Sequence, residues 1–488
     1  MSPILDLGAR QILAAFRARE LSPVEYMRAL IARVEASEPK VQALWLFRPE
    51  RALDAARASE ARYMQGAPLG LLDGMPVTVK ELIATKGDHI PLGTAAMPHS
   101  PAAEDAPAAA RLHEDGAIIF AKTTCPDFGM LSSGLSTFHH LSRNPWDLSQ
   151  NPGGSSSGAA SAGAAGYGPL HLGTDIGGSV RLPAGWTGLF GLKPTLGRIP
   201  IDPYYTGRAA GPMTPTVDDA ALLMHTVCRP DWRDATALKY EPIDWDAAAC
   251  EVRDLRIGLM LDAGCGLGAH PEVAAAVTAA ARRFEENGAT IIPIAPVLTR
   301  GMLDGLDIAW RARFWGQMQK LPAESRAKIL PYIREWAEAG ASADPIRVAE
   351  GFDQTFAMRR AANEALHGLD FILSPVNPQR SYPADWASPT NDPARPFEHI
   401  AFTVPWNMGE QPAASIHCGL TSTGIPIGLQ IVGHRFDDLG VMRLARAFEE
   451  WRGAINWPRH EGQGPGSASR PKCRHVVTGH CDFTSISV

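Results

Sequence analysis

The stretch from Asn151 to Arg198, NPGGSSSGAASAGAAGYGPLHLGTDIGGSVRLPAGWTGLFGLKPTLGR, restricts the fold more than any other part of the chain. Glycine and serine dominate it, but apolar runs and a Gly191-Leu192-Lys193-Pro194 turn interrupt them, so it does not read as a flexible linker. Residues 159–166 are only Ala, Ser and Gly, and side chains that small predict a helix lying very close to a sheet. That helix would begin just after Gly153-Gly154-Ser155-Ser156-Ser157-Gly158 and set the positive end of its dipole near Ser155. Serines on tight, Gly-rich backbone have a chemical use. The hydroxyl acts as a nucleophile while neighbouring backbone N–H groups form an oxyanion hole.

The second such element is Gly173-Thr174-Asp175-Ile176-Gly177-Gly178-Ser179-Val180-Arg181. Its paired glycines allow a backbone nest whose N–H groups converge where a tetrahedral oxyanion would sit. Asp175 and Arg181 flank the turn and can pair to hold it; the plainer expectation is an exposed ion pair worth ~0–1 kcal/mol. Upstream, Lys80 ends the apolar, strand-like run Met75-Pro76-Val77-Thr78-Val79. A lysine anchored there would be desolvated, which lowers its pKa and lets it serve as a neutral base. The bland alternative is a lysine snorkelling at a strand end.

Short β-type runs at 76–79, 117–121, 169–172 and 256–261 alternate with Ala-rich helical stretches, which favours a sheet sandwiched by helices. The first 65 residues read as a helical layer. Ser22-Pro23-Val24-Glu25 is a capping box with Pro at the first helical position, and Val24, Met27, Leu30, Ile31 and Val34 then share one face. A second helix is expected from about Pro49 to Met64. Residues 66–457 make an α/β core, with a mostly helical insert at about 300–366 carrying Trp310, Phe314, Trp315, Met318, Tyr332 and Trp336. Residues 458–488 turn polar and aperiodic, and a poorly ordered tail is expected there.

The 488 residues are 45% hydrophobic and 20% charged, which suits a globular enzyme. A net charge of −6 argues against an obligate nucleic-acid binder. No apolar run reaches the roughly eighteen residues of a membrane span, and the first residues lack the features of a signal peptide. The 7 cysteines include no C-x-x-C pair, so reduced thiols and a cytoplasmic location are expected.

Taken together, these elements resemble the amidase signature family of serine hydrolases. GMPVTVKELIATKG, around Lys80, is similar to the family's lysine strand, and NPGGSSSG to its Gly-Gly-Ser-Ser-Gly element with Ser157 in place of one Gly. GTDIGGSVRLPAGWTGLFGLKPT is similar to its nucleophile element. The spacing agrees, with 75 residues from Lys80 to Ser155 and 24 from Ser155 to Ser179. AKTTCPDFGM, RNPWDL, Gly409-Glu410-Gln411-Pro412-Ala413 and GIPIGLQIVG extend the likeness over about residues 5–455. The resemblance implies a large twisted mixed sheet with helices on both faces. It implies Ser179 as nucleophile, Ser155 (after a cis Gly154–Ser155 peptide) as proton relay and Lys80 as terminal base. It further implies an oxyanion hole from the N–H groups of Ile176, Gly177, Gly178 and Ser179. Gly154, Asp175 and Arg181 would support these groups, and Met130, Leu131, Ser132 and Ser133, with the insert, would shape the substrate pocket.

The expected reaction is cleavage of a C–N acyl bond through an acyl-serine, without metal or other cofactor. The expected substrate is a small amide, ester or carbamate, with aryl amides and urethanes favoured by the insert's aromatic content and by likeness to aryl acylamidases and urethanases. The alternative within the family is the amidase subunit of a glutamine-dependent amidotransferase. Gly264-Cys265-Gly266-Leu267-Gly268 misses a dinucleotide fingerprint by one residue and reads as a strand-to-helix turn. Cys473, His475, His480 and Cys481 do not have a standard zinc spacing. His139-His140 read as polar loop residues and Cys125 as a packed thiol. Oligomeric state is not legible, and a homodimer stays open.

Overall fold

The computed structural model describes residues 3–98 and 100–458. The segment from 459 onward, with its Cys473, His475, His480 and Cys481, lies outside the described residues. One sheet organises the chain. Its strands are β1 (Leu44–Trp45), β2 (Pro76–Lys80), β3 (Ile118–Thr123), β4 (Leu170–Asp175), β5 (Phe190–Lys193), β6 (Ala209–Thr214), β7 (Arg256–Leu259), β8 (Thr290–Pro293), β9 (Phe371–Pro375), β10 (Ala413–Leu420) and β11 (Pro426–Gly433). They lie in the order β1-β3-β2-β4-β6-β5-β10-β11-β9-β7-β8. Pairing is parallel from β3 through β2 to β4, antiparallel across the middle from β4 to β9, and parallel again among β9, β7 and β8. This is the expected mixed α/β architecture.

Side-chain alternation divides the interior into two cores. Phe371 and Leu373 of β9, Leu429 and Ile431 of β11, and Ala414 and Ile416 of β10 enter one. Their neighbours Ile372, Val432 and Ala413 enter the other. A strand period of two produces this split, and because both faces are covered the strands read as continuous apolar runs. The N-terminal helices Ala9–Ala18, Pro23–Val41 and Pro49–Gln65 follow the sequence pattern. Ser22 caps the second, accepting from the N–H of Val24 (2.9 Å) and Glu25 (3.4 Å), and Val24, Met27, Leu30, Ile31 and Val34 are all buried.

β4 is longer at its end than the sequence pattern suggests. Gly173 interrupts the apolar run, but antiparallel pairing with β6 carries the strand on to Asp175, opposite Ala209. The nucleophile-type turn therefore leaves directly from a strand end. The region 300–366 is helical as expected, with helices Arg300–Met318, Ala323–Arg326, Pro331–Glu338 and Pro345–Leu366. Only part of it faces a cavity. Leu303, Leu306, Met358, Ala362 and Leu366 belong to the second core. Phe314, Met318, Ile333 and Trp336 form a third cluster with Leu131.

The helix Ser157–Ala164 is buried along its whole length. It approaches so closely that a Cβ on Gly158 would lie 2.3 Å from Ala43 O and 2.4 Å from Thr124 N. Alanine is the better helix former by about 1 kcal/mol, so Gly158→Ala would ordinarily stabilise. Here the clash dominates, and the variant is expected to lose about 1–3 kcal/mol through overpacking. Reversible denaturant melts of the two proteins check the sign.

Candidate active site

Lys80 closes β2 and is completely buried. Its Nζ lies 2.8 Å from Ser155 Oγ, 3.0 Å from Thr174 Oγ1 and 3.2 Å from Ser156 Oγ. No carboxylate touches it among the described residues. Burial pushes its pKa down to about 8; Cys125, Asp175 and Glu81 oppose that push and Arg208 adds to it. Two other lysines are equally buried and depressed, Lys122 to about 8 and Lys193 to about 7. Lys122 instead bonds Ile83 O and Thr85 Oγ1, and Lys193 bonds Pro194 O. Contact with a cavity-lining serine, not the depressed pKa, distinguishes Lys80.

Ser155 follows a cis Gly154–Ser155 peptide and precedes the small-residue helix. Ser155, Thr174, Ile176, Gly177 and Ser179 line one cavity of about 520 Å³. Ser179 Oγ makes no hydrogen bond among the described residues, so the hydroxyl chain is closed from Lys80 to Ser155 and open at Ser179. The N–H groups of Ile176, Gly177 and Ser179 also have no acceptor among the described residues. Gly178 departs from expectation. Its N–H donates to Asp175 Oδ1 at 2.8 Å and is not free for an oxyanion. Its φ of 127° belongs to glycine, and an added Cβ would lie 2.6 Å from Thr403 Oγ1.

Asp175 and Arg181 do pair, but the expected exposed pair is instead fully buried. Arg181 Nε and Nη2 each donate to the carboxylate at 3.0 Å. Nη1 donates to Thr403 O (3.0 Å) and Gln430 Oε1 (2.7 Å), and Nη2 also to Asn407 Oδ1 (2.6 Å). Asp175 additionally accepts from the N–H of Gly178 and Val180 and from Asn407 Nδ2. Burial alone would raise the Asp175 carboxyl; Arg181 and Asn407 overcome it and hold the carboxyl well below the usual range. No local pattern foreshadows this network, because the nearest of its distant members, Thr403, is 222 residues from Arg181 in the chain.

Of the four loop residues expected at the pocket, Met130, Leu131 and Ser132 line the cavity. Ser133 does not. It is fully buried, donates to Trp386 O at 2.7 Å and accepts from Asn151 Nδ2 at 2.8 Å, so it braces the loop from behind. From the helical insert, Trp310, Phe314, Tyr332 and Trp336 line the cavity, whereas Trp315 and Met318 pack elsewhere. Among the lining residues the sequence did not point to, three carry polar or charged groups that bear on the chemistry. His399 holds Ser132 Oγ at 2.7 Å and is kept neutral by burial, which pushes it down to about 3. Arg208 and Arg313 are the cavity's charged residues.

One trio of metal-ligand types converges beside the site: Glu81, Cys125 and His139, with ligand atoms within 4.8 Å of one another. His139 is therefore not a polar loop residue; it is buried at 3.1 Å from Glu81 Oε2, while His140 is exposed. The Glu81 oxygens already accept from the N–H groups of Leu92 (2.8 Å) and Gly93 (2.6 Å). Burial and then the Glu81 carboxylate push the Cys125 thiol well up, which opposes the thiolate a metal requires. The trio reads as a hydrogen-bonded brace behind Lys80.

Arg181→Met would leave the Asp175 carboxylate buried and unpaired, and it is expected to cost about 3–5 kcal/mol in denaturant unfolding. Because the native Asp175 pKa is depressed, its contribution is full above the unfolded carboxylate range and is lost as the pH falls towards the native value. Acid-unfolding curves of the variant should consequently lack part of the wild-type slope.

Comparison with known proteins agrees with this geometry. The Amidase family profile matches residues 25–442. A glutamyl-tRNA(Gln) amidotransferase subunit from Myxococcus xanthus (strain DK1622) is 33% identical over 475 residues, covering 91% of this chain and 97% of that protein. The structure of a bacterial aryl acylamidase superposes with a TM-score of 0.84 at 28% identity, covering 91% of this chain and 96% of its own. Fatty acid amide hydrolase, at 23% identity and a TM-score of 0.80, shares the fold, covering 93% of this chain and 87% of its own. With a profile spanning most of its length and a buried lysine bonded to a cavity-lining serine, this chain belongs to the amidase signature family of enzymes.

Proposed function

We propose that the chain hydrolyses amides, with aryl amides and aryl carbamates as its substrate class, through Ser179, Ser155 and Lys80. The observation that carries this reading is the buried Lys80 Nζ surrounded by three hydroxyls and open, through Ser155, to an aromatic-lined cavity. A neutral amine has two N–H donors and one lone pair. Ser156 Oγ already donates to Thr174 O, so it accepts from Lys80. Ser155, the nearest hydroxyl, is then free to donate to the lone pair. The lysine is thus arranged to take a proton.

In the proposed reaction Ser179 Oγ attacks the carbonyl carbon, and its proton passes through Ser155 to Lys80. The oxyanion forms against the N–H groups of Ile176, Gly177 and Ser179. As the C–N bond breaks, the proton returns through Ser155 to the leaving nitrogen. Water, deprotonated along the same path, then cleaves the acyl-serine. Likeness to the bacterial aryl acylamidase, over nearly the whole of both chains, supports the aryl amide class.

A second reading is the amidase subunit of a glutamine-dependent amidotransferase. The curated relatives weigh towards it, since the Myxococcus xanthus protein matches over nearly its whole length. The cavity weighs against it. Glutamine presents an α-ammonium, and no Asp or Glu is among the lining residues to receive it. Turnover of aryl anilides and carbamates against glutamine decides between them, with strong preference for glutamine favouring the amidotransferase.

Fluorophosphonate labelling is expected on Ser179, and Ser179→Ala should abolish both labelling and turnover; a label mapped to another serine with Ser179→Ala fully active rejects the assignment. Lys80 must be neutral to act as base, and its pKa is pushed down to about 8. Hence kcat/KM should rise with pH through about 8 and then level off. Lys80→Ala is expected to lose on the order of 10²–10⁴ in rate and the limb with it.

A further inference from the structure

The charge in the cavity is all of one sign. Arg208 and Arg313 line it and no carboxylate does, although the whole chain carries a net −6. Arg208 immediately precedes β6. Asp175 pairs with Ala209, so the next rung would set Arg208 opposite Ile176, the first residue of the nucleophile turn. Its guanidinium donates from Nη1 to Pro203 O at 2.9 Å and, among the described residues, enters no ion pair. Arg313, on the helix Arg300–Met318, lies 3.7 Å over the Tyr205 ring and likewise forms no ion pair among the described residues. Most other arginines near a cavity or core here are paired: Arg181 with Asp175, Arg198 with Asp438, Arg311 with Asp307.

Arg208 is half-buried in the cavity wall, where a cation without an ion partner is less well solvated than in open water. Its partial burial pushes Arg208 down to about 10, and Asp202 opposes this only through space. The same cavity is lined by Leu82, Phe128, Phe397 and Ile400 together with neutral hydroxyls, and by no carboxylate. A planar five-donor group in such a setting matches a carboxylate, which accepts two parallel N–H bonds.

We infer that the preferred substrate is an amide or carbamate whose apolar body ends in a carboxylate, which Arg208 binds directly and Arg313 attracts at the rim. This rests on the hydrolase reading for its turnover arm, and a binding arm tests it separately. In the first arm, the 4-nitroanilides of glutaric acid (monoanilide, anionic) and pentanoic acid (neutral) are compared. Wild type should favour the anionic anilide by about tenfold to a hundredfold in kcat/KM, mainly through KM, as one charged hydrogen-bond pair provides. The preference should shrink with added salt, most at the exposed Arg313. Arg208→Gln should bring the ratio close to one. Both anilides share one reaction, so any change at Lys80 cancels in that ratio. Equal turnover of the two anilides by wild type, or an unchanged ratio in Arg208→Gln, overturns the inference and leaves the hydrolase reading standing.

In the second arm, calorimetry measures 4-phenylbutyrate and 4-phenylbutan-1-ol on wild type and Arg208→Gln. Tighter binding of the carboxylate, lost in the variant, supports the carboxylate subsite even if neither anilide is turned over and the hydrolase reading fails. No carboxylate preference, or one that survives in a variant whose circular dichroism and melting match wild type, overturns it. Arg208→Lys gives the control for a misfolded Gln variant: it should keep the charge, and part of the preference, without the bidentate fork.

Discussion

The site is built around the buried pair of Asp175 and Arg181. Taking two charges out of water costs several kcal/mol per ion unless almost every donor and acceptor is met, and here they are met from three separate parts of the chain. The end of β4, the segment 403–407 and Gln430 of β11 all converge on the Arg181 guanidinium. Because the carboxylate holds the N–H groups of Gly178 and Val180, the turn has one conformation. Among the described residues, the N–H groups of the turn left without acceptors are those of Ile176, Gly177 and Ser179, three residues that line the cavity.

Around Lys80 the choice of partners is as informative as the burial. A carboxylate in contact would keep the proton on the amine; hydroxyls accept and donate with little cost either way. The nearest acid in sequence, Glu81, is occupied by the backbone of Leu92 and Gly93 and by His139. The same physics that depresses Lys80 also depresses Lys122 and Lys193, and of the three only Lys80 bonds a cavity-lining serine.

The cavity joins these two arrangements to a third. Its aromatic wall comes from the helices Arg300–Met318 and Pro331–Glu338, which elsewhere complete the second and third cores. Packing and cavity lining thus share the same helices, and Arg208 and Arg313, without an ion pair among the described residues, stand in a lining of aromatic, aliphatic and neutral hydroxyl side chains. A wall of this kind selects by shape and by one charge. This lining is where one substrate would be told from another.

Much of the fold was legible before any coordinates. Small residues at 159–166 announced a helix against a sheet, the glycine pairs announced two serine turns, and the apolar run before Lys80 announced a buried strand. These features are local: each follows from side-chain size, backbone freedom or period within a few residues. Contacts between distant segments were not legible. Nothing near Arg181 foretells Gln430, Thr403 or Asn407. Ser133 and His139 are both buried behind the site, one expected at the pocket and the other in a polar loop, because burial is set by what packs against a loop. The order of amino acids thus settled which side chains could do chemistry and on which turns they sit. Which donors stayed free, which lysine faced a serine and which arginines lacked partners were settled only on folding, because each outcome depends on groups brought together across the chain.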